Sequence, residues 1–189
     1  MILSAEEIRE AIQKGDIIIA PSPNDDQYSS SSLDLRLGSE FVYWDPEKTS
    51  QPGTLVEITP SRADFSRFAD TYSTPFPRQA DGSVVLEPGD FVLAITLERV
   101  ELPLVSAIAA RVEGRSTLAR WGLQVHLTAP TIHAGWSGQI TLELLNHGPF
   151  KLRLTEGDRV CQLVFERLGQ ASGQPPGTQF LGQRSPTGR

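Results

Sequence analysis

The chain has 189 residues, 17 of them Lys or Arg and 23 Asp or Glu, so it fits one domain and carries a formal charge of −6. That charge argues against non-specific binding to nucleic acid or to an anionic membrane, and no apolar run reaches the roughly 18 residues of a membrane span. Because Cys161 is the only cysteine, the sequence excludes an intrachain disulfide framework and a cysteine-built zinc site, and we expect a soluble protein of the reducing cytoplasm.

The first predicted element is a short amphipathic helix of about ten residues. Ser4 and Glu7 have the spacing of a capping box, and Gly15 is a suitable C-terminal stop. Ile8 and Ala11 lie on one apolar face. We expect this face to pack against a larger body.

After this helix the hydrophobic period changes from 3.6 to 2. Apolar residues alternate with polar ones in four stretches, at residues 33–37, 91–97, 123–127 and 140–144. Glycine-containing turns separate the stretches. Many short strands with regular turns predict a closed or sandwiched all-β fold.

Two stretches do not have a strand pattern. Residues 45–83 are rich in Pro, Ser, Thr and Asp but contain several aromatic residues, so we expect an ordered, irregular insertion. Residues 169–189 are rich in Gly, Pro and Gln, which predicts either a disordered end or a flap that a ligand orders.

A cluster of polar residues at 113–122 is the first candidate site. Arg115 and Arg120 bracket the hydroxyls of Ser116 and Thr117. A hydroxyl that caps a short helix, together with two guanidinium groups, would suit a phosphate. The alternative is a surface turn whose arginines pair with nearby carboxylates.

Glu143 is the second candidate, because it lies in the middle of a predicted strand. A partly desolvated carboxylate can carry protons near neutral pH, although a strand with one solvated face would also explain it. The three histidines, His126, His133 and His147, lack the spacing of a metalloprotease, and the signature of zinc-dependent nucleobase deaminases is missing.

The order of these segments resembles the dCTP deaminase family, part of the trimeric dUTPase superfamily. The resemblance rests on residues 114–123, 126–129, 135–138 and 140–144, and extends to residues 32–37, 157–165 and 182–187. It implies a mainly β fold, a distorted β-barrel or jelly roll over residues 1–168 with a short N-terminal helix. In this reading residues 45–83 are an irregular insertion, and residues 169–189 are a flexible tail that closes over the nucleotide.

The resemblance also implies an activity. The family hydrolyses the 4-amino group of dCTP to give dUTP and ammonia, with Mg²⁺ bound to the triphosphate and without zinc. Its members are homotrimers with active sites between subunits, and dTTP is often a feedback inhibitor. We expect a cytoplasmic enzyme of deoxynucleotide metabolism with no nucleic-acid or membrane partner.

Glu143 matches the catalytic glutamate of the family, where it would move protons between water and the base. Ser116 and the backbone of Ala129 would position the attacking water. The residues expected to contact the nucleotide are Arg115, Ser116, Thr117, Leu118, Ala119, Arg120, Ala129, His133, Thr141, Leu142, Gln162, Gln179 and Gln183.

Two of these residues depart from the family pattern. His133 stands where the family usually has Asp, beside the sugar, and Gln179 stands where it has Lys. The equivalent Asp activates water in dUTPases, so His133 argues against the first alternative, a dUTP diphosphatase or bifunctional deaminase–diphosphatase. The second alternative is a nucleotide-binding regulator without catalysis.

Overall fold

The computed structural model describes residues 1–51, 54–60 and 63–189. The helices are α1 (Ala5–Lys14), α2 (Pro46–Thr49), α3 (Phe65–Tyr72) and α4 (Ser116–Arg120). The strands are β1 (Ile18–Ala20), β2 (Tyr28–Ser29), β3 (Ser32–Trp44), β4 (Ser50–Gln51), β5 (Thr54–Leu55), β6 (Ser73–Pro75), β7 (Val84–Leu86), β8 (Phe91–Glu101), β9 (Ile108–Gly114), β10 (Leu123–Gln124), β11 (Thr131–Ile132), β12 (Ser137–Asn146), β13 (Leu152–Leu154) and β14 (Arg159–Arg167).

The N-terminal helix confirms its prediction in detail. The Ser4 hydroxyl accepts a hydrogen bond from the backbone N–H of Glu7, and the Glu7 carboxylate accepts one from the backbone N–H of Ser4. Gly15 ends the helix with a φ of 77°, a conformation that favours glycine. Ile8 and Ala11 are buried against the body of the protein.

The main sheet has ten strands and curls on itself, because β3 is shared by its two halves. The first part of β3 pairs with β14, and the second part pairs with β8 and β6. Within the pairing of β3 with β8, the register shifts between Leu37 and Phe41, just after β3 leaves β14. A Cβ at Gly38 would lie 2.9 Å from the Ile95 carbonyl oxygen, so glycine lets β3 cross β8 closely. The predicted mainly β, barrel-like architecture is confirmed.

The hydrophobic core fills the inside of this curled sheet. Side chains alternate along β12, where Ile140, Leu142 and Leu144 are buried while Thr141 and Glu143 lie on the outer face. Burial of such apolar side chains contributes about 1.5–3 kcal/mol each to folding. The core therefore determines which residues of β12 remain available for chemistry.

The structure corrects one predicted strand. Residues 123–127 were expected to alternate as a strand, but only Leu123–Gln124 pairs, with β12. The Gln124 amide donates to the His126 carbonyl oxygen, and the Leu127 N–H donates to the Glu143 carboxylate. These side-chain bonds take the place of ladder hydrogen bonds, so the chain turns across the outer face of the sheet.

The insertion at 45–83 is more regular than predicted, although its residues 52, 53, 61 and 62 lie outside the described part of the chain. Asp64 caps the N-terminus of the insertion's helix α3, because the Asp64 carboxylate accepts a hydrogen bond from the N–H of Arg67. Phe65, Phe68 and Tyr72 lie on one face of α3, as their spacing of three and four residues in the sequence requires of a helix. Within the described residues, the helices are too short or too polar to cross a membrane.

Candidate active site

Glu143 lines a cavity of about 480 Å³ on the outer face of the sheet. This volume is within the range of about 300–1,000 Å³ that is typical of small-molecule sites. The carboxylate is half-buried, and its Oε2 atom accepts a hydrogen bond of 3.0 Å from the backbone N–H of Leu127. In the described part of the chain its Oε1 atom has no hydrogen-bond partner. Glu143 therefore has one fixed oxygen and one that a ligand can use.

Two further residues that line this cavity carry a buried polar atom with unmet hydrogen-bonding capacity. Among the described residues, His126 Nδ1 and Thr141 Oγ1 are the buried side-chain nitrogen and oxygen atoms without a partner. An unsatisfied buried polar atom costs about 1–3 kcal/mol, so such atoms are rare unless a ligand or water uses them. Thr141 and Glu143 are two residues apart on β12 and therefore lie on the same face. Together these atoms favour a polar ligand.

Aromatic side chains form another part of the cavity lining. Trp44 at the end of β3, Phe65 of α3 and Phe180 of the tail all line it. The Phe65 and Phe180 rings meet edge to face with centroids 5.4 Å apart, and those of Trp44 and Phe65 are 6.1 Å apart. The cavity thus combines an apolar wall, suited to a flat ring, with a polar wall that carries Glu143.

The tail lies along β12 and covers one side of the cavity. The N–H of Gly182 donates to the Ser137 carbonyl oxygen, and the N–H of Gln139 donates to the Gln183 carbonyl oxygen. The Gln183 side-chain amide also donates to the Gln139 carbonyl oxygen at 2.9 Å. Gly138 permits this approach, because a Cβ there would lie 3.1 Å from the backbone nitrogen of Gln183.

Helix α3 holds the other end of the tail. The backbone N–H of Phe65 donates to Gln179 Oε1 at 3.3 Å, and Ser66 donates to the Gly188 carbonyl oxygen. Arg189 forms an ion pair with Asp70. Gln179 also lines a neighbouring apolar cavity of about 390 Å³ between the insertion and the tail. That this segment is flexible stays a prediction.

The arginine-rich cluster lies elsewhere on the chain. None of residues 115–120, all of which the structure describes, lines the Glu143 cavity. Helix α4 also corrects one expectation: its N-cap is Arg115, without a capping side chain, so neither Ser116 nor Thr117 caps the helix. Both hydroxyls are exposed instead, as is Arg120.

Arg115 is held by residues of two neighbouring strands. Its Nε lies 3.3 Å from Asp34 Oδ2, and its Nη1 donates to the Arg159 carbonyl oxygen at 3.0 Å. Gln162 lies opposite Asp34 in the sheet. Its amide donates to the Gly114 carbonyl oxygen. This cluster is on the outer face of the other half of the sheet.

The structure thus divides the predicted site residues into two groups. One group shares the cavity: Glu143, Ala129, His133, Thr141 and Gln183. The second group does not line it: Arg115, Ser116, Thr117, Leu118, Ala119, Arg120, Leu142, Gln162 and Gln179. The Leu142 side chain is fully buried in the core, so only its backbone can face a ligand.

Several residues that contribute to these sites were not predicted from the sequence, among them Trp44, Asp34 and Arg159. Trp44 lies at the end of β3 and lines the cavity. A large aromatic residue at the end of a strand could have indicated a binding site from the sequence. Asp34 is 5% exposed and Arg159 is half-buried, and both contact Arg115. Their pairing depends on strand register, which the sequence pattern does not show.

Comparison with known proteins identifies the family. Residues 2–168 match the sequence model of the dCTP deaminase-like family. The dCTP deaminase of Rhodospirillum rubrum is 37% identical over 98% of this chain and 94% of the relative. The dUMP-forming dCTP deaminase of Methanosphaera stadtmanae is also 37% identical, over 98% of this chain and 91% of the relative.

A solved structure shares the fold. The crystal structure of 2'-deoxycytidine 5'-triphosphate deaminase from Agrobacterium tumefaciens superposes with a TM-score of 0.62 at 22% identity. The match covers 87% of this chain and 47% of that longer chain. The family match and the identities of the relatives agree with the order of segments along the sequence. The chain belongs to the dCTP deaminase-like family.

Proposed function

We propose that this protein is a dCTP deaminase that releases ammonia from dCTP and leaves dUTP. The observation that carries the proposal is the half-buried Glu143 carboxylate, in a cavity also lined by His126 and Thr141, whose buried Nδ1 and Oγ1 atoms have no partner among the described residues. The relatives named dCTP deaminase, which match almost the whole chain, support the same reaction.

Deamination requires one group that accepts a proton and then returns it. In the proposal Glu143 takes a proton from water as the water oxygen bonds to C4 of the cytosine ring, and delivers that proton to N3. It then takes the remaining hydroxyl proton and passes it to the amino nitrogen. The bond between C4 and the amino nitrogen breaks, ammonia leaves and C4 becomes a carbonyl. The Leu127 N–H fixes one carboxylate oxygen so that the other can face the water.

The triphosphate would be bound by Arg115 and Arg120 of a neighbouring subunit. Support comes from the separation of the two groups, because none of residues 115–120, all described, lines the cavity of their own chain. Both side chains provide guanidinium donors suited to phosphate oxygens. We therefore propose a homotrimer whose active sites are each completed by two subunits.

Mg²⁺ would arrive with the triphosphate. Among the described residues, no three His, Cys, Asp or Glu side chains form a cage for a metal ion. Where a protein offers no such cage, phosphate oxygens and water are the usual ligands of Mg²⁺. The described residues are therefore compatible with an ion that the nucleotide itself carries. The one cysteine of the sequence cannot supply the paired cysteines that zinc deaminases use. We also propose that dTTP competes for the same cavity and that the enzyme works in the cytoplasm.

The first experiment replaces the proposed proton carrier. Glu143→Gln should abolish ammonia release from dCTP while calorimetry still detects dCTP binding, because the amide keeps the shape but cannot accept a proton. Glu40→Gln is the matched control. It makes the same change on an exposed position of β3 outside the cavity and should leave turnover unchanged. Turnover of Glu143→Gln close to that of the unmodified chain would refute the assignment.

The second experiment identifies the products. Incubation with dCTP, dUTP and CTP in the presence of Mg²⁺, followed by chromatography, should give dUTP and ammonia from dCTP alone. Release of pyrophosphate and dUMP would instead indicate the diphosphatase or bifunctional activity. Tight nucleotide binding without turnover would indicate a regulator.

The third experiment tests the shared site. Chains carrying Glu143→Gln and chains carrying Arg120→Ala should each be inactive or weakly active. In mixed trimers refolded from equal amounts, about a quarter of the sites would combine an intact Glu143 with an intact Arg120 from the neighbour. Activity should therefore recover to about a quarter of the unmodified value. No recovery, or a mass in solution other than three times 20.7 kDa, would refute the trimer proposal.

A further inference from the structure

Asp34 is a buried carboxylate that the reaction as described does not use. It is 5% exposed and lies on β3, with its Oδ2 atom 3.3 Å from Arg115 Nε and 4.0 Å from Arg159 Nη1. Burial raises the pKa of Asp34, and the two guanidinium groups oppose that shift. Burying a carboxylate costs folding free energy unless the carboxylate is paired. We therefore ask what the pairing of Asp34 with Arg115 contributes to function.

The contacts of Arg115 leave part of its guanidinium group free. Nε faces Asp34 and Nη1 donates to the Arg159 carbonyl oxygen, so two points fix the plane of the group. An arginine has five N–H donors in a rigid fork, so the donors not used by these contacts remain for an anion. The side chain is 36% exposed, which leaves its outer edge accessible. A guanidinium held in this way loses little conformational freedom when it binds.

Asp34 is itself held firmly in place. Its backbone carbonyl oxygen accepts a hydrogen bond of 2.9 Å from the amide of Gln27. The same amide donates to Glu98. Glu98 is fully buried and accepts hydrogen bonds from the backbone and side chain of Arg36. This network connects Asp34 to the interior, so the position of Arg115 is determined by the core.

We propose that Asp34 is a positioning residue for triphosphate recognition, and that it acts by fixing the Arg115 guanidinium with its free donors directed at the phosphate chain. The inference rests on the proposed function, because it assigns Arg115 to the triphosphate. Asp34 touches no substrate in this account, and its whole effect passes through Arg115.

A double-mutant cycle tests this dependence. Affinity for dCTP with Mg²⁺ is measured by calorimetry on chains that also carry Glu143→Gln, which removes turnover. Asp34→Asn should raise the Kd about tenfold, since the amide pairs weakly with a guanidinium. Arg115→Ala should raise it at least as much. The double variant should bind as Arg115→Ala does, because the partner through which Asp34 acts is then already gone.

Asp26→Asn is the matched control. The Asp26 side chain is 72% exposed and lies 3.5 Å from Arg159, which it shares with Asp34. Its replacement should leave the Kd unchanged. Thermal unfolding establishes that each variant is folded. If Asp34→Asn does not fold, Asp34→Glu replaces it in the same cycle, because the longer side chain displaces the guanidinium but keeps the charge.

Two results would overturn the inference. One is a Kd for dCTP that does not change in Asp34→Asn. The other is a double variant whose increase in Kd equals the product of the increases in the two single variants. These outcomes are separable from failure of the proposed function. If dCTP binds and the double variant has the same Kd as Arg115→Ala, but the chain with Glu143 intact releases no ammonia, only the deaminase activity is contradicted. If the chain with Glu143 intact releases ammonia but the effects of Asp34→Asn and Arg115→Ala on the Kd multiply, only the role of Asp34 is contradicted.

Discussion

The contact between Gln183 and β12 offers a direct test of how the tail is held. The Gln183 side chain is 4% exposed, and its amide nitrogen donates to the Gln139 carbonyl oxygen at 2.9 Å. Gln183→Glu keeps the size of the side chain but places an oxygen against that carbonyl oxygen. The lost hydrogen bond and the unsatisfied buried acceptor together cost about 2–4 kcal/mol. The population of undocked tail should therefore rise roughly 30- to 900-fold.

Limited trypsin digestion measures this population, because Arg184 follows directly and is exposed. When docking is fast relative to cleavage, the cleavage rate follows the undocked fraction.

Gln179→Glu is the matched control for this experiment. Gln179 is exposed and uses its Oε1 atom as an acceptor from the Phe65 N–H, a role that a carboxylate retains. Its cleavage rate should stay within about threefold of the unmodified chain. Cleavage of Gln183→Glu at the unmodified rate would refute the reasoning.

Three other predictions follow from local contacts. Ser4→Ala removes the hydroxyl that accepts from the Glu7 N–H, and should lower the free energy of unfolding by about 1 kcal/mol in a urea titration. Burial raises the pKa of the Cys161 thiol, so a thiol reagent should react with the unfolded chain but not with the native one at neutral pH. The Thr74 hydroxyl donates to Asp45 and is the main cause of the lowered pKa of that carboxyl, so Thr74→Val should raise that pKa towards its ordinary value in a carboxyl NMR titration.

Local patterns predicted the parts of the fold that depend on near neighbours. The capping residues of α1 act within one helical turn, and the alternation along β12 separates a buried face from an outer face. For the same reason, a carboxylate in the middle of this alternating strand marks Glu143 as unusual from the sequence alone. Residues 125–127 were mispredicted, because Glu143 and Gln124 compete for the backbone partners that a strand would need.

The distant pairings could not be predicted from the sequence. Asp34 meets Arg115 only because β3 lies beside β14 and β14 beside β9, and this order is a property of the whole sheet. Phe65 and Phe180 are similarly far apart in sequence. The resemblance to the family supplied site residues that local physics alone did not. It implied active sites between subunits, but it did not say which of the site residues line the cavity of their own chain.

The long strand β3 has a consequence for how this enzyme can change in evolution. Asp34 near its start contacts the arginine cluster, while Trp44 at its end forms part of the aromatic wall. Gly38 lies between them, where only a hydrogen atom fits against the Ile95 carbonyl oxygen. A substitution that shifts the crossing at Gly38 would disturb both regions at once. Under the proposed function, recognition of the charged end of the nucleotide and recognition of its ring would therefore change together in evolution.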